Sequence, residues 1–287
     1  MMAARATASP SRRETRRPAR AGRTRLDLLV VARGLAASRH QAEAAVRAGE
    51  VFVDGRRVEK PGTLVVDTAA IERRREGPVY VSRGGVKLEA ALDAFGVDPA
   101  GQVVLDVGAS TGGFTDCVLR RGARRVYAVD VGRGQLHWRL RQDPRVVVME
   151  GRHAGRLAPA DFPEAVDLAT IDCSFISLLK VLPAVARVVR PGGRIIALVK
   201  PQFEVGPKAA PKGVVRDPAV HEVVLRRVVA DAGASGCRPE RVTVSPLRGP
   251  DGNREFFVLL RNEAGAPADT LGDEIHRVVW AAGSASL

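Results

Sequence analysis

The sequence predicts an α/β protein: a doubly wound sheet of seven strands preceded by a small α+β domain. Three observations predict it. From Val103 onward, short apolar β-branched runs alternate with helical stretches, the pattern of strands joined by covering helices. Directly after the first run comes a glycine-rich turn, Asp106-Val-Gly-Ala-Ser-Thr-Gly-Gly-Phe114. It has the strand–turn–helix context in which a backbone approaches a nucleotide-like ligand. Finally, 287 residues with 45% apolar content can build one large core and one small one.

Charge is distributed unevenly. The net value is +13, and residues 1–77 hold 17 Lys+Arg against 9 Asp+Glu, so over half of the surplus lies in the first quarter. A basic region of this kind points to a polyanion, most often nucleic acid, with a merely solubilising tail as the bland reading. No run of eighteen uncharged residues exists, so no transmembrane helix is expected. Cys117, Cys173 and Cys237 are odd in number and far apart. That argues for a reducing compartment and against a disulfide framework; no metal site is expected.

Residues 1–24 are expected to be a disordered basic arm, with eight arginines and one acid among residues 1–25. They lack the apolar centre of a secretion signal. Composition alone leaves an organelle transit peptide open; a bacterial cytoplasmic protein is the expectation. Residues 25–77 form the small domain. Leu26–Ala32 predicts a short helix. Ser38 is a good N-cap, with Gln41 three residues on as its capping-box partner, for a second helix ending near Ala48. Val51 to Val58 predicts a hairpin turning at Asp54-Gly55. Glu72 to Pro78 reads as a charged linker.

The large domain spans 78–264. A helix is expected over about 86–95, then strands near 103–107, 126–130, 145–149, 166–171, 194–199, 241–245 and 256–260. Helices are expected near 114–121, 177–189 and 218–233. Seven strands with a closing C-terminal pair fit a Rossmann-like class I methyltransferase sheet better than a six-stranded dinucleotide domain. The tail, 265–287, reads as a loosely held helix.

The turn departs from the dinucleotide fingerprint. Gly108 and Gly113 take its first and third places, but Ser110 stands where the second glycine admits a pyrophosphate. Gly108, Gly112 and Gly113 leave room for a ligand. Asp106 is expected to end the strand and face the turn, where a carboxylate suits an amino or sulfonium group. Asp130 ends the next strand and can accept from both ribose hydroxyls. An adenosyl group with a cationic, phosphate-free tail follows: S-adenosylmethionine. The bland reading is a structural turn with two capping aspartates. Open α/β sheets bind at the carboxyl ends of their strands, where Asp172 and Lys200 also fall. A lysine there can activate a weak hydroxyl nucleophile, as base or as stabilising cation, with Asp172 orienting it.

The first module, helix, Gly34-Leu-Ala-x-Ser-Arg39, helix, Val51-x-Val-Asp-Gly-x-x-Val-x-Lys-Pro61, resembles the alpha-L (S4-like) RNA-binding domain. The resemblance makes Arg39, Arg47, Arg56 and Lys60 candidate phosphate contacts, with ordinary solvated charges as the alternative. Across residues 25–261, seven ordered motifs resemble the TlyA family of ribosomal RNA 2′-O-methyltransferases, whose methyltransferase domain is FtsJ-like and some members of which carry a haemolysin label. They are Val81-Ser-Arg-Gly-Gly-x-Lys-Leu88, the 106–115 turn, Asp130-Val-Gly-x-Gly-Gln-Leu136, Asp172-x-Ser-Phe-Ile-Ser-Leu178, Leu198-Val-Lys-Pro-Gln-Phe-Glu204, Gly213-Val-Val-x-Asp-Pro218 and Ser245-Pro-x-x-Gly-Pro-x-Gly-Asn-x-Glu-Phe256.

The resemblance implies a catalytic tetrad of Lys87, Asp172, Lys200 and Glu255, and a cofactor site using Gly108, Gly112 and Asp130. His153 stands where Asn or Asp often lies beside the adenine; a solvated loop histidine is the alternative. Tyr80 stands where some members have Trp. Arg83 joins the RNA contacts, and Phe175 either stacks on a flipped base or packs in the core. The expected partner is ribosomal RNA within a subunit. A non-catalytic assembly factor, a membrane-lytic protein and an NAD-dependent reductase are the other classes. The intact tetrad, the lack of a long apolar segment and the missing second glycine argue against them in turn.

Overall fold

A computed structural model of the protein describes residues 22–47, 49–73, 80–206, 209–249 and 251–281. The chain divides into two compact units, 1–77 and 78–287.

In the first unit, β1 (Arg23–Arg25) leads into α1 (Leu26–Ala32) and α2 (Arg39–Arg47). Then follow β2 (Val51–Val53), β3 (Arg56–Arg57), β4 (Leu64–Val66) and β5 (Ile71–Arg73). Leu26, Val30, Ala42, Val46 and Val51 are buried together. Ser38 Oγ accepts from Gln41 N at 3.3 Å, as a cap should, but the Gln41 side chain reaches back to Ala37 N rather than Ser38 N. Asp54 and Gly55 have φ of 49° and 76°, the twist that a two-residue hairpin turn requires. Two boundaries differ from expectation. Arg23 and Thr24, assigned to the arm, pair with Val66 and Val65 in β1–β4. Glu72 and Arg73, assigned to the linker, pair with Phe52 and Val51. Each is a short, charged strand held by its ladder, which side-chain pattern does not reveal. Residues 1–21 of the arm and 74–78 of the linker lie outside the described residues.

The second unit opens with α3 (Arg83–Phe95), followed by β6 (Val103–Val107), α4 (Gly113–Arg120), β7 (Arg125–Asp130) and α5 (Trp138–Arg141). Next are β8 (Val146–Glu150), β9 (Val166–Ile171), α6 (Leu178–Val188), β10 (Val189–Val199) and α7 (Pro201–Glu204). The chain closes with α8 (Pro218–Ala234), β11 (Arg238–Val244), β12 (Phe256–Arg261) and α9 (Leu271–Trp280). The sheet order is β11-β12-β10-β9-β6-β7-β8. The five strands β10 to β8 run parallel, while β12 is antiparallel to both of its neighbours. The seven-stranded, mostly parallel sheet is the Rossmann-like fold class expected. Successive strand residues face opposite layers. Leu105, Ile171 and Ile195 pack with α6, α8 and α9; Val104, Leu168 and Ile196 pack with α3 and α4.

Two elements are larger than expected. β10 begins at Val189 because a register shift between Val189 and Arg194 absorbs the Pro191-Gly192-Gly193 turn signal. The tail holds a packed helix, not a loose one: Leu271, Ile275 and Val279 are buried, and the Arg254 guanidinium donates to the last carbonyls, Val278 O and Val279 O. The tail helix therefore spends its apolar face on the core. Among the described residues, no helix is long and apolar enough to cross a membrane.

Candidate active site

The chain order reverses between β6 and β9, and the crevice at the carboxyl ends of these strands is where such sheets bind ligands. An open cleft of about 1030 Å³ lies there, lined among others by Gly108, Ser110, Asp130, His153, Asp172 and Phe175. Gly108 has φ +84°, and a Cβ on it would overlap the Asp172 carbonyl oxygen. Only glycine fits so close to the neighbouring strand end. Gly112, at φ +95°, leaves no room for a Cβ beside Leu136 and Leu140, and a Cβ on Gly113 would meet Ser82 Oγ and Gly85 N. These two glycines let the helices close around the turn. Gly113 also lines a smaller recess of about 120 Å³ with Ser82 and Asp172.

Asp130 organises the cleft floor. Its Oδ2 accepts from Ser110 N at 2.8 Å and its Oδ1 from Gly132 N at 2.7 Å. Each oxygen keeps a further lone pair for a ligand hydroxyl. His153 borders the cleft, and its Nδ1 accepts from Gly155 N, capping the turn 154–156.

Asp106 is placed differently from expectation. It is fully buried within β6 and does not face the turn. Thr115 Oγ1 donates to it at 2.6 Å and Thr170 Oγ1 at 3.1 Å. Burial raises its pKa to about 6, against the opposing effect of the two hydroxyls. The alternation of β6 sends Asp106 to the α4 side, so it braces the turn from beneath and lines no part of the cleft.

Two lysine–carboxylate pairs follow. Lys200 Nζ lies 2.5 Å from Asp172 Oδ1, as a charge contact outside hydrogen-bond alignment, and donates to Ser174 Oγ at 2.9 Å. Asp172 is itself fixed by its N–H to Val107 O. Lys87 Nζ donates to Glu255 Oε2 at 2.5 Å, and both are buried. Val199 pairs with Phe256, so the ladder puts Lys200 and Glu255 at the same end of adjacent strands. All four residues of the implied tetrad are thus paired, two and two. Ser174 is the contact that motif reasoning passed over; its signal was its place two residues after Asp172. Glu204, inside a matching motif, instead accepts from Ser177 Oγ and Leu178 N and caps α6.

Phe175 is 92% exposed with φ +63°. That excludes core packing. A non-glycine residue held there stores on the order of 1–3 kcal/mol of strain. Its ring lies 5.2 Å from that of Phe203, at the cleft rim. Tyr80 is buried against Gly85, and its hydroxyl donates to Glu89 at 2.7 Å.

The phosphate candidates divide. Arg39 pairs with the buried Asp27 and with Glu43, and Arg47 pairs with Glu43. Arg56 and Lys60 project into solvent. Arg83 donates to Arg248 O at 3.0 Å. Among the described residues, no cluster of three His, Cys, Asp or Glu could hold a metal.

The cleft suits the expected cofactor. Its turn admits no side chain at Gly108, and it offers the Asp130 carboxylate for ribose. Comparison with known proteins agrees. An FtsJ-like methyltransferase model matches residues 80–262, and an S4 domain model matches 24–69. The 16S/23S rRNA (cytidine-2′-O)-methyltransferase TlyA of Mycobacterium tuberculosis is 46% identical over 263 residues, 90% of this chain and 98% of that protein. YqxC of Bacillus subtilis, a candidate rRNA methyltransferase, is 46% identical over 89% of this chain and 92% of its own. A solved structure described as a candidate hemolysin from Streptococcus thermophilus superposes with a TM-score of 0.72 at 42% identity. It covers 92% of this chain and 97% of that one.

Proposed function

Because the chain belongs to the TlyA family of FtsJ-like methyltransferases that carry an S4 domain, we propose that it methylates the 2′-hydroxyl of a cytidine in ribosomal RNA. S-adenosylmethionine supplies an electrophilic methyl group when bound. The observation that carries the reading is the Lys200–Asp172 pair at the strand ends beside the glycine turn. The relative from Mycobacterium tuberculosis, named for both 16S and 23S rRNA, supports the substrate class.

In this reading the work divides between residues 25–77, which dock on RNA, and 78–264, which carry the chemistry. Arg56 and Lys60 neutralise phosphates, releasing counterions with little sequence readout. Gly108, Ser110 and Asp130 hold the cofactor, with His153 beside its base. Phe175 is held out by its backbone to stack on an extruded base. Asp172 and Ser174 fix the Lys200 ammonium group. That ammonium stabilises the developing oxyanion while the ribose hydroxyl proton leaves to water; as the neutral amine, Lys200 would take that proton itself. Lys87 and Glu255 form a second, buried pair that shapes the target side. No covalent enzyme intermediate is needed; positioning contributes several kcal/mol. The setting is cytoplasmic, where ribosomal subunits are.

Tritium transfer from methyl-labelled cofactor to separated subunits lacking the modification tests the reading. Label that survives alkali within a ribose-methylated dinucleotide, and is lost with Lys200→Ala, is expected. No transfer to either subunit by protein that binds cofactor would overturn it.

A further inference from the structure

We propose that His137 and Trp138 form a stacking platform for an unpaired RNA base, outside the catalytic pairs. The inference rests on the reading of this chain as an RNA enzyme. The segment between β7 and β8 is held rigidly. Glu150 accepts from Gly134 N, Gln135 N and Leu136 N, and is bonded by Arg141 as well. Arg141 also donates to Leu136 O at 3.0 Å, and His137 N donates to Thr111 O at 3.1 Å. Leu136 and Leu140 anchor it by packing over Gly112.

On this frame Trp138 is 63% exposed. Its ring stacks on His137, with centroids 5.9 Å apart and planes at 29°. His137 is itself locked, its Nδ1 accepting from Arg139 N at 3.2 Å. A single exposed apolar residue needs no explanation. A pair of stacked rings, pinned outward where burial would be favourable, is a different feature. It presents a flat π-face at little conformational cost.

Charge selects the occupant. Residues 131–141 contain three arginines and no acid. Arg141 is engaged with Glu150, Arg133 is exposed with its guanidinium near Gly151, and Arg139, next to Trp138 in sequence, is exposed and lies 3.9 Å from Asp116. An aromatic face on a basic segment, with Arg139 next to it in sequence, suits a base with its phosphate alongside, as in single-strand binding surfaces. Gln135 of the same segment borders the cleft, so RNA bound here would run beside the reaction site.

The chain's two tryptophans make a direct test possible. In the full-length protein, Trp280→Phe leaves Trp138 as the sole indole reporter. Its emission is expected to be quenched by a short single-stranded RNA and not by an abasic phosphodiester of equal length. By filter binding, Trp138→Ala weakens the same RNA about five- to a hundredfold, Trp138→Phe restores most of it, and both melt like the wild type because the side chain is exposed. Unchanged affinity and unquenched Trp138, with RNA bound, would overturn the platform alone. Failure of the wild type to bind any RNA would overturn the RNA reading with it. A shift in elution of Trp138→Ala towards a smaller species would assign the rings to a contact between copies and overturn the proposal.

Discussion

Lys87 Nζ meets Glu255 Oε2 at 2.5 Å across 168 positions of sequence, with the glutamate 1% exposed. A buried pair of this kind is costly to break from one side, because the remaining charge stays out of water. Lys87→Ala is expected to lose roughly 3–5 kcal/mol of stability, read as a drop in the urea midpoint at unchanged slope. Replacing both, Lys87→Met with Glu255→Gln, is expected to restore most of the stability and none of the activity. A double variant as unstable as the single one would show that the pair is not the relevant interaction.

The Lys200–Asp172 pair is expected to behave in the opposite way. Its aspartate borders the cleft with the side chain 23% exposed, so the carboxylate left by Lys200→Ala can be hydrated. Lys200→Ala should therefore cost no more than about 1 kcal/mol of stability. Methyl transfer should nevertheless fall by at least about 100-fold, while calorimetry shows cofactor affinity within a few fold of wild type for Lys200→Ala. Parallel losses of stability and activity would assign the pair a structural role.

The contrast between these pairs shows what the sequence made legible. Strand ends could be read from apolar runs, so Asp130, Asp172 and Lys200 were placed by pattern alone. Lys87 and Glu255 came only through family resemblance, since no local spacing joins residues so far apart. Asp106 was read at the right strand end but on the wrong side, because its burial depends on Thr115 and Thr170, which arrive from α4 and β9. α9 was underrated because its apolar stripe means little until Arg254 and Glu274 are seen to fasten it.

The arginines of the first unit also separate. Arg56→Ala and Lys60→Ala should each weaken RNA binding and reduce the salt slope by somewhat under one unit, about 0.7–0.9. Arg39→Ala should instead cost about 1 kcal/mol of stability, because Arg39 and Arg25 share the buried carboxylate of Asp27, whose pKa the Arg25 hydrogen bonds hold down. Binding titrations across salt concentration, paired with melting curves, would distinguish the two groups. A reduced salt slope for Arg39→Ala, with unchanged melting, would reverse the assignment.

Asp106 gives the pH dependence of the fold a definite sign. Its ordinary value is 3.8 and burial lifts it to about 6, so between these limits the folded chain binds more protons than the unfolded one. Stability from this group is therefore greatest below about pH 4, declines as pH rises to about 6, and is flat above. The full span corresponds to roughly 3 kcal/mol. Asp106→Asn removes the titration: measured as the difference between variant and wild type, its relative stability should rise over that window and level off. The amide can still accept from Thr115 or Thr170 through its single oxygen, so one hydroxyl contact is lost, offsetting the gain by about 1 kcal/mol at every pH. A pH-independent difference would mean that Asp106 is ionised throughout, with the two threonines outweighing burial.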